Sequence, residues 1–132
     1  MITWSTFVAL TKEEARGLTE AYGFSVTSEI CPFVRFAKDD IEISFYFDAH
    51  GHGEFDVGFK KDNFGRSEFM PSIGLGNLLS KKCVSFTESE FLQLTSEDEA
   101  RSELRRTVDL IQRHLQDVLQ GDSSCLEPNS KS

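Results

Sequence analysis

Ile41-Glu42-Ile43-Ser44-Phe45-Tyr46-Phe47-Asp48 alternates apolar and polar residues without a break, and Glu54-Phe55-Asp56-Val57-Gly58-Phe59-Lys60 repeats the pattern. Successive side chains of an extended strand point to opposite faces. Ile41, Ile43, Phe45 and Phe47 therefore share one face with Phe55, Val57 and Phe59, and the polar residues share the other. The six residues between, Asp48-Ala-His-Gly-His-Gly53, are rich in turn formers, so the two strands are expected to pair as an antiparallel hairpin. Working back, Lys38-Asp39-Asp40 reads as a turn from a strand near residues 33–37. A further strand near 24–29, ending before Pro32, would complete a four-stranded meander. Nine of the twelve phenylalanines fall between positions 24 and 69, so this sheet supplies the aromatic mass of the core.

Outside the sheet the period changes to that of a helix. Thr11 followed by Glu14 has the form of a capping box, which predicts a helix over 11–22 stopped by Gly23. Trp4, Phe7 and Val8 would extend its apolar stripe if the helix starts near Thr3. Thr87-Glu88-Ser89-Glu90 and Ser96-Glu97-Asp98-Glu99 predict a short helix near 88–94 and a longer one from about 97 to 120, ended by Gly121. In the longer helix Ala100, Leu104, Val108, Ile111, Leu115 and Val118 form a core-facing stripe. Residues 61–86 read as loop with one short helix, in which Ile73, Leu75, Leu78 and Leu79 must find burial. The expected fold is α+β: a sheet of about four antiparallel meander strands, packed on one face by an N-terminal helix and a long C-terminal helix. Residues 1–122 would form a single domain and 123–132 a polar tail.

A chain of 132 residues is one ordinary domain, which excludes large multi-domain enzymes, and it can bury enough surface to fold without disulfides or metals. At 39% hydrophobic and 27% charged residues it fits neither a disordered chain nor a membrane protein. No apolar run approaches the roughly 18 residues of a membrane span. The opening segment lacks a basic region, and Thr3, Ser5 and Thr6 interrupt it, so it does not read as a secretory signal. A cytoplasmic location is expected. Cys31, Cys83 and Cys125 are widely spaced without a CxxC pair, which reads as reduced thiols, the first two in the core and the third exposed in the tail. The 22 acidic against 14 basic residues give a net charge of −8, opposite in sign to a nucleic-acid binder and better matched to a basic partner.

His50 and His52 form an H-x-H pair, in which alternate residues of an extended chain can present two imidazoles to a metal. No third ligand is identifiable, and two histidines between glycines read more simply as solvated turn residues. No nucleophile elbow accompanies the cysteines or histidines, and Gly74-Leu-Gly76-Asn lacks the lysine and the spacing of a phosphate loop. The expectation is therefore no catalytic residue and no cofactor, with a metal-dependent enzyme built on His50 and His52 the weakest alternative. Charge distribution remains. Residues 86–122 carry nine acids against four bases. On the polar side of the hairpin, Glu42, Tyr46, Asp48, Glu54 and Asp56 would gather around an aromatic ring, an arrangement able to dock a basic protein. Glu97, Asp98 and Glu99 at the start of the last helix are the second choice of contact residues. The plain alternative for both is solubilising charge.

An opening helix closing on Ala21-Tyr22-Gly23-Phe24, the hairpin IEISFYFDAHGHGEFDVGFKK (41–61) and the final helix DLIQRHLQDVLQGD (109–122) together resemble small bacterial immunity proteins of polymorphic or contact-dependent toxin systems. The resemblance lies in the order of elements, with "YGF" and "VLQGD" as its particular marks. It implies a non-enzymatic cytoplasmic protein, monomeric when free, that binds and neutralises a cognate toxin, often a nuclease, by covering its active site. A small acidic adaptor or chaperone-like module for an endogenous protein would show the same features.

Overall fold

A computed structural model of the chain describes residues 2–61, 73–81 and 93–122. The chain opens with two helices, α1 (Trp4–Glu14) and α2 (Arg16–Tyr22), and continues into β1 (Ser25–Ser28), β2 (Phe33–Lys38), β3 (Ile41–Phe47) and β4 (Phe55–Lys61). A two-residue strand β5 (Ile73–Gly74) leads into α3 (Leu75–Lys81), and α4 (Glu97–His114) and α5 (Gln116–Leu119) close the described chain. The five strands form one antiparallel sheet in the order β1-β2-β3-β4-β5. The sheet is thus the expected meander with a fifth strand. β5 touches β4 only at Gly58↔Gly74 and Phe59↔Ile73, too short a pairing to leave an alternating pattern in the sequence.

The two-residue period fixes the core. Ile41, Ile43, Phe45 and Phe59 are fully buried, Phe47 and Val57 nearly so, and Val34 and Phe36 join them from β2. The N-terminal helix and the long C-terminal helix pack against this face. Phe7 of α1 stacks on Phe47, with ring centroids 4.6 Å apart, and meets Phe55 edge-on. Burying an aromatic side chain of this size is worth several kcal/mol, so these contacts tie helix to sheet. Along α4 and α5, Ala100, Leu104, Val108, Ile111, Leu115 and Val118 are all buried, as their spacing predicts.

The first helix takes the earlier of its two expected starts, near Thr3, but breaks at Ala15, and the long C-terminal helix breaks short of its expected end. α1 is capped by Thr3, whose hydroxyl accepts the Thr6 amide at 3.2 Å. Thr11 lies inside the helix and is buried, its hydroxyl donating to the Phe7 carbonyl at 2.7 Å. A threonine that satisfies itself on the preceding turn can occupy a core position, which is why it does not start the helix. Gly23 ends α2 in the left-handed region at φ 83°, as glycine permits. The last helix breaks at Leu115, where no glycine or proline signals it, and the buried stripe continues into α5.

α3 supplies the expected short helix and buries Leu75, Leu78 and Leu79. The expected helix over 88–94 falls largely outside the described residues. At its end, Gln93 forms an isolated antiparallel bridge with Glu54, so this part is extended. Cys31 is a free, half-buried thiol in the turn before β2 and not a core residue. Cys83, Cys125 and the tail lie outside the described residues.

Candidate functional site

The β3–β4 turn is built around one carbonyl. Asp48 O accepts the amides of Gly51 and Gly53, at 3.5 and 3.1 Å, and the Asp48 amide donates back to Glu54 O at 3.0 Å. Gly53 has φ 74°, and a Cβ there would lie 2.7 Å from the Leu94 carbonyl oxygen. That close approach lets Leu94 N donate to Gly53 O at 2.8 Å and seats Gln93 against Glu54. The segment leading into α4 is thereby pinned to the hairpin turn.

This pinning brings together the two groups of carboxylates that the sequence offers separately. Glu97, Asp98 and Glu99 occupy the first turn of α4, four to six residues beyond Gln93, and all three are exposed. The N-terminus of α1 lies at the same end, since Ile2, Thr3 and Thr6 line a shallow cleft with Thr95, Ser96 and Glu97. The turn before β2 completes this end: Phe47 N donates to Pro32 O at 2.9 Å and Trp4 Nε1 to Glu29 O at 3.3 Å.

The carboxylates differ in what holds them. Glu99 is part of the cap: its Oε1 accepts from Thr95 N at 2.7 Å and from Thr95 Oγ1 at 2.9 Å, while Ser96 Oγ accepts the Glu99 amide. The Thr95 backbone bond, then that residue's hydroxyl, holds the Glu99 carboxyl below its ordinary pKa. Glu29 pairs with Lys12 at 2.9 Å. Asp56 is exposed, and its Oδ1 accepts the Val57 amide at 2.8 Å. Asp48, Glu54, Asp56, Glu97 and Asp98 form no ion pair among the described residues.

Tyr46 and Glu42 share the outer face of β3, but that face is not the open acidic surface that alternation alone predicts. Glu42 is cross-strand from Lys60, with 3.6 Å between Oε1 and Nζ, and its side chain is only 15% exposed. Glu42 is therefore charge-compensated and does not belong with the free acids. Ser44 is buried. The Arg35 guanidinium lies 4.4 Å over the Phe33 ring, which in turn lies 5.5 Å from the Tyr46 ring. Tyr46 is half-buried opposite Asp56. Burial, followed by the charges of Asp48 and Glu54, raises the pKa of its hydroxyl.

His50 and His52 are exposed on the turn, and among the described residues no three potential ligands gather to hold a metal ion. Glu14, expected in the first turn of a helix, instead ends α1, and with Glu13 it clasps α4. Arg101 Nη1 reaches Glu13 at 2.8 Å and Glu14 at 3.1 Å, and Arg105 Nε reaches Glu14 at 3.1 Å. The Arg105 bond is the largest influence holding the Glu14 carboxyl below its usual value.

Comparison of the chain with protein-family models, with curated proteins and with solved structures gives no match. No helix among the described residues is long and apolar enough to cross a membrane.

Proposed function

We propose that this protein acts by binding another protein, and that its partner is a toxin with a basic surface, which it neutralises by covering the toxin's working face. The observation that carries this reading is the gathering of Asp48, Glu54, Asp56, Glu97 and Asp98 at one end of the molecule without an ion pair among the described residues, with the half-buried ring of Tyr46 beside the first three. Carboxylates left uncompensated contribute little to folding and set up a negative potential that speeds and orients encounter with a cationic surface. A nuclease cleft, lined with cations for its own substrate, is a partner of this kind. The order of elements that resembles toxin-immunity proteins points the same way.

The test is co-purification of the tagged protein from its source cell at low and then high salt, with mass spectrometry of what accompanies it. A stoichiometric basic toxin domain that survives high salt is the expected result. Recovery of the protein alone, or with a partner lost as salt rises, would defeat the reading in favour of a weak adaptor or of purely solubilising charge.

A further inference from the structure

Ile30 is the one large apolar side chain that stands exposed among the described residues, at 75% of its full accessibility. A single exposed isoleucine is ordinary on a protein surface. The setting of this one is not. The turn that carries it is braced from three directions: Ile30 O accepts the Phe33 amide at 2.9 Å, Glu29 O accepts the Trp4 indole at 3.3 Å, and Pro32 O accepts the Phe47 amide at 2.9 Å. A side chain on a backbone tied to both a helix and a central strand is presented with little ordering left to do on binding. The last of these bonds sets the turn beside Phe47, the residue before Asp48. Phe33, three residues beyond Ile30, is register partner of Tyr46. Asp48 and Glu54 close the β3–β4 turn that follows Phe47, and neither forms an ion pair among the described residues. An apolar anchor with an uncompensated charged rim is the common anatomy of a protein interface.

We propose that Ile30 is the apolar anchor through which this end of the molecule docks, and that the complementary surface is an apolar pocket rimmed by lysines or arginines on the partner protein. A second copy of this chain is the poorer fit, because it would set Asp48 and Glu54 against their own like charges. The inference rests on the function proposed above and assigns its energetic centre to a residue that carries no charge.

The protein recovered in the co-purification is expressed, purified and titrated by calorimetry against the wild type, Ile30→Ala and Ile30→Asp. Ile30→Asp is expected to weaken binding ~30-fold or more and Ile30→Ala about tenfold, the range of an anchor residue. Both should keep the unfolding midpoint, since the side chain packs on nothing in the core. The chain's single tryptophan, Trp4, bonded to the residue before Ile30, should shift its emission when the partner docks. Binding of Ile30→Asp within threefold of wild type, with no change in Trp4 emission on docking, would overturn the inference while leaving the function standing. Dimerisation of the free protein that Ile30→Asp abolishes would overturn it in favour of a second copy. If the wild type recovers no basic partner, the function itself fails before any variant is compared, and the inference falls with it.

Discussion

Where β2 turns into β3, the charged side chains are tied to the fold: Lys38 Nζ donates to the Leu119 carbonyl at the end of α5 at 2.8 Å, Lys60 faces Glu42 at 3.6 Å, and Lys61 faces Asp40 at 3.9 Å. At the opposite end, where β3 turns into β4, Asp48, Glu54, Glu97 and Asp98 stand without such partners among the described residues. The first end uses charge to fasten a helix terminus and the last turns of the strands, the placement that favours a cation at a helix C-terminus. The second adds four carboxylates that fasten nothing among the described residues to the Lys12–Glu29 pair and the Glu99 cap that do. The difference separates side chains that serve the fold from side chains available to something outside it.

Substitutions put that contrast to the test. The largest loss is expected from Phe47→Ala, which empties the stack on Phe7 and should cost about 3–5 kcal/mol in urea unfolding, because it undoes the joint on which both ends depend. Gly53→Ala should follow at about 2 kcal/mol, since it forces an alanine to φ 74° and drives its Cβ into the Leu94 carbonyl. If Gly53→Ala instead proves neutral, the hairpin turn does not hold the approach to α4, and the two acidic groups are not fixed together. Glu14→Gln should cost about 1 kcal/mol near neutral pH, in line with loss of a hydrogen-bonded pair to arginine. Arg105 depresses the folded-state pKa of Glu14, so its stabilisation is full above the unfolded glutamate value of about 4.3 and is lost as pH falls through the folded value. Melting temperatures of wild type and Glu14→Gln should therefore converge as the pH falls from the unfolded value through the lower folded one. The smallest effect is expected from Asp48→Lys, Glu54→Lys and Asp56→Lys combined: within about 0.5 kcal/mol on stability, yet weaker binding to the basic partner. A stability loss larger than that of Glu14→Gln would erase the distinction between the two ends.

Much of the frame is legible in the sequence because it rests on periodicity. The alternation through 41–47 and 55–60 gives the hairpin and its buried face, and the apolar stripe from Ala100 to Val118 gives the last helix. What escapes reading is set by partners distant along the chain. Thr11 looks like a cap because Glu14 follows it, but its hydroxyl serves Phe7 O and its glutamate serves Arg101 and Arg105. Glu42 looks like one of the free acids until Lys60 is found across the strand pair. The convergence of Glu54 with the start of α4 depends on the Leu94–Gly53 hydrogen bond and the bridge to Gln93, and Ile30 carries no pattern at all. Spacing reports which face a side chain takes. It does not report which charges meet.

The meander has one more consequence, for the order of assembly. Strands β1 to β4 each pair with their neighbour in the chain, so most of the sheet can form by closing short loops. The α1–α4 clasp is different: Glu13 and Arg101 are 88 residues apart in sequence, and the chain must return almost to its start to join them. Closure of the two ends is thus the step with the greatest separation to span. Weakening the clasp, as Glu14→Gln does, is expected to speed unfolding more than it slows refolding, because a late contact is the first to be surrendered.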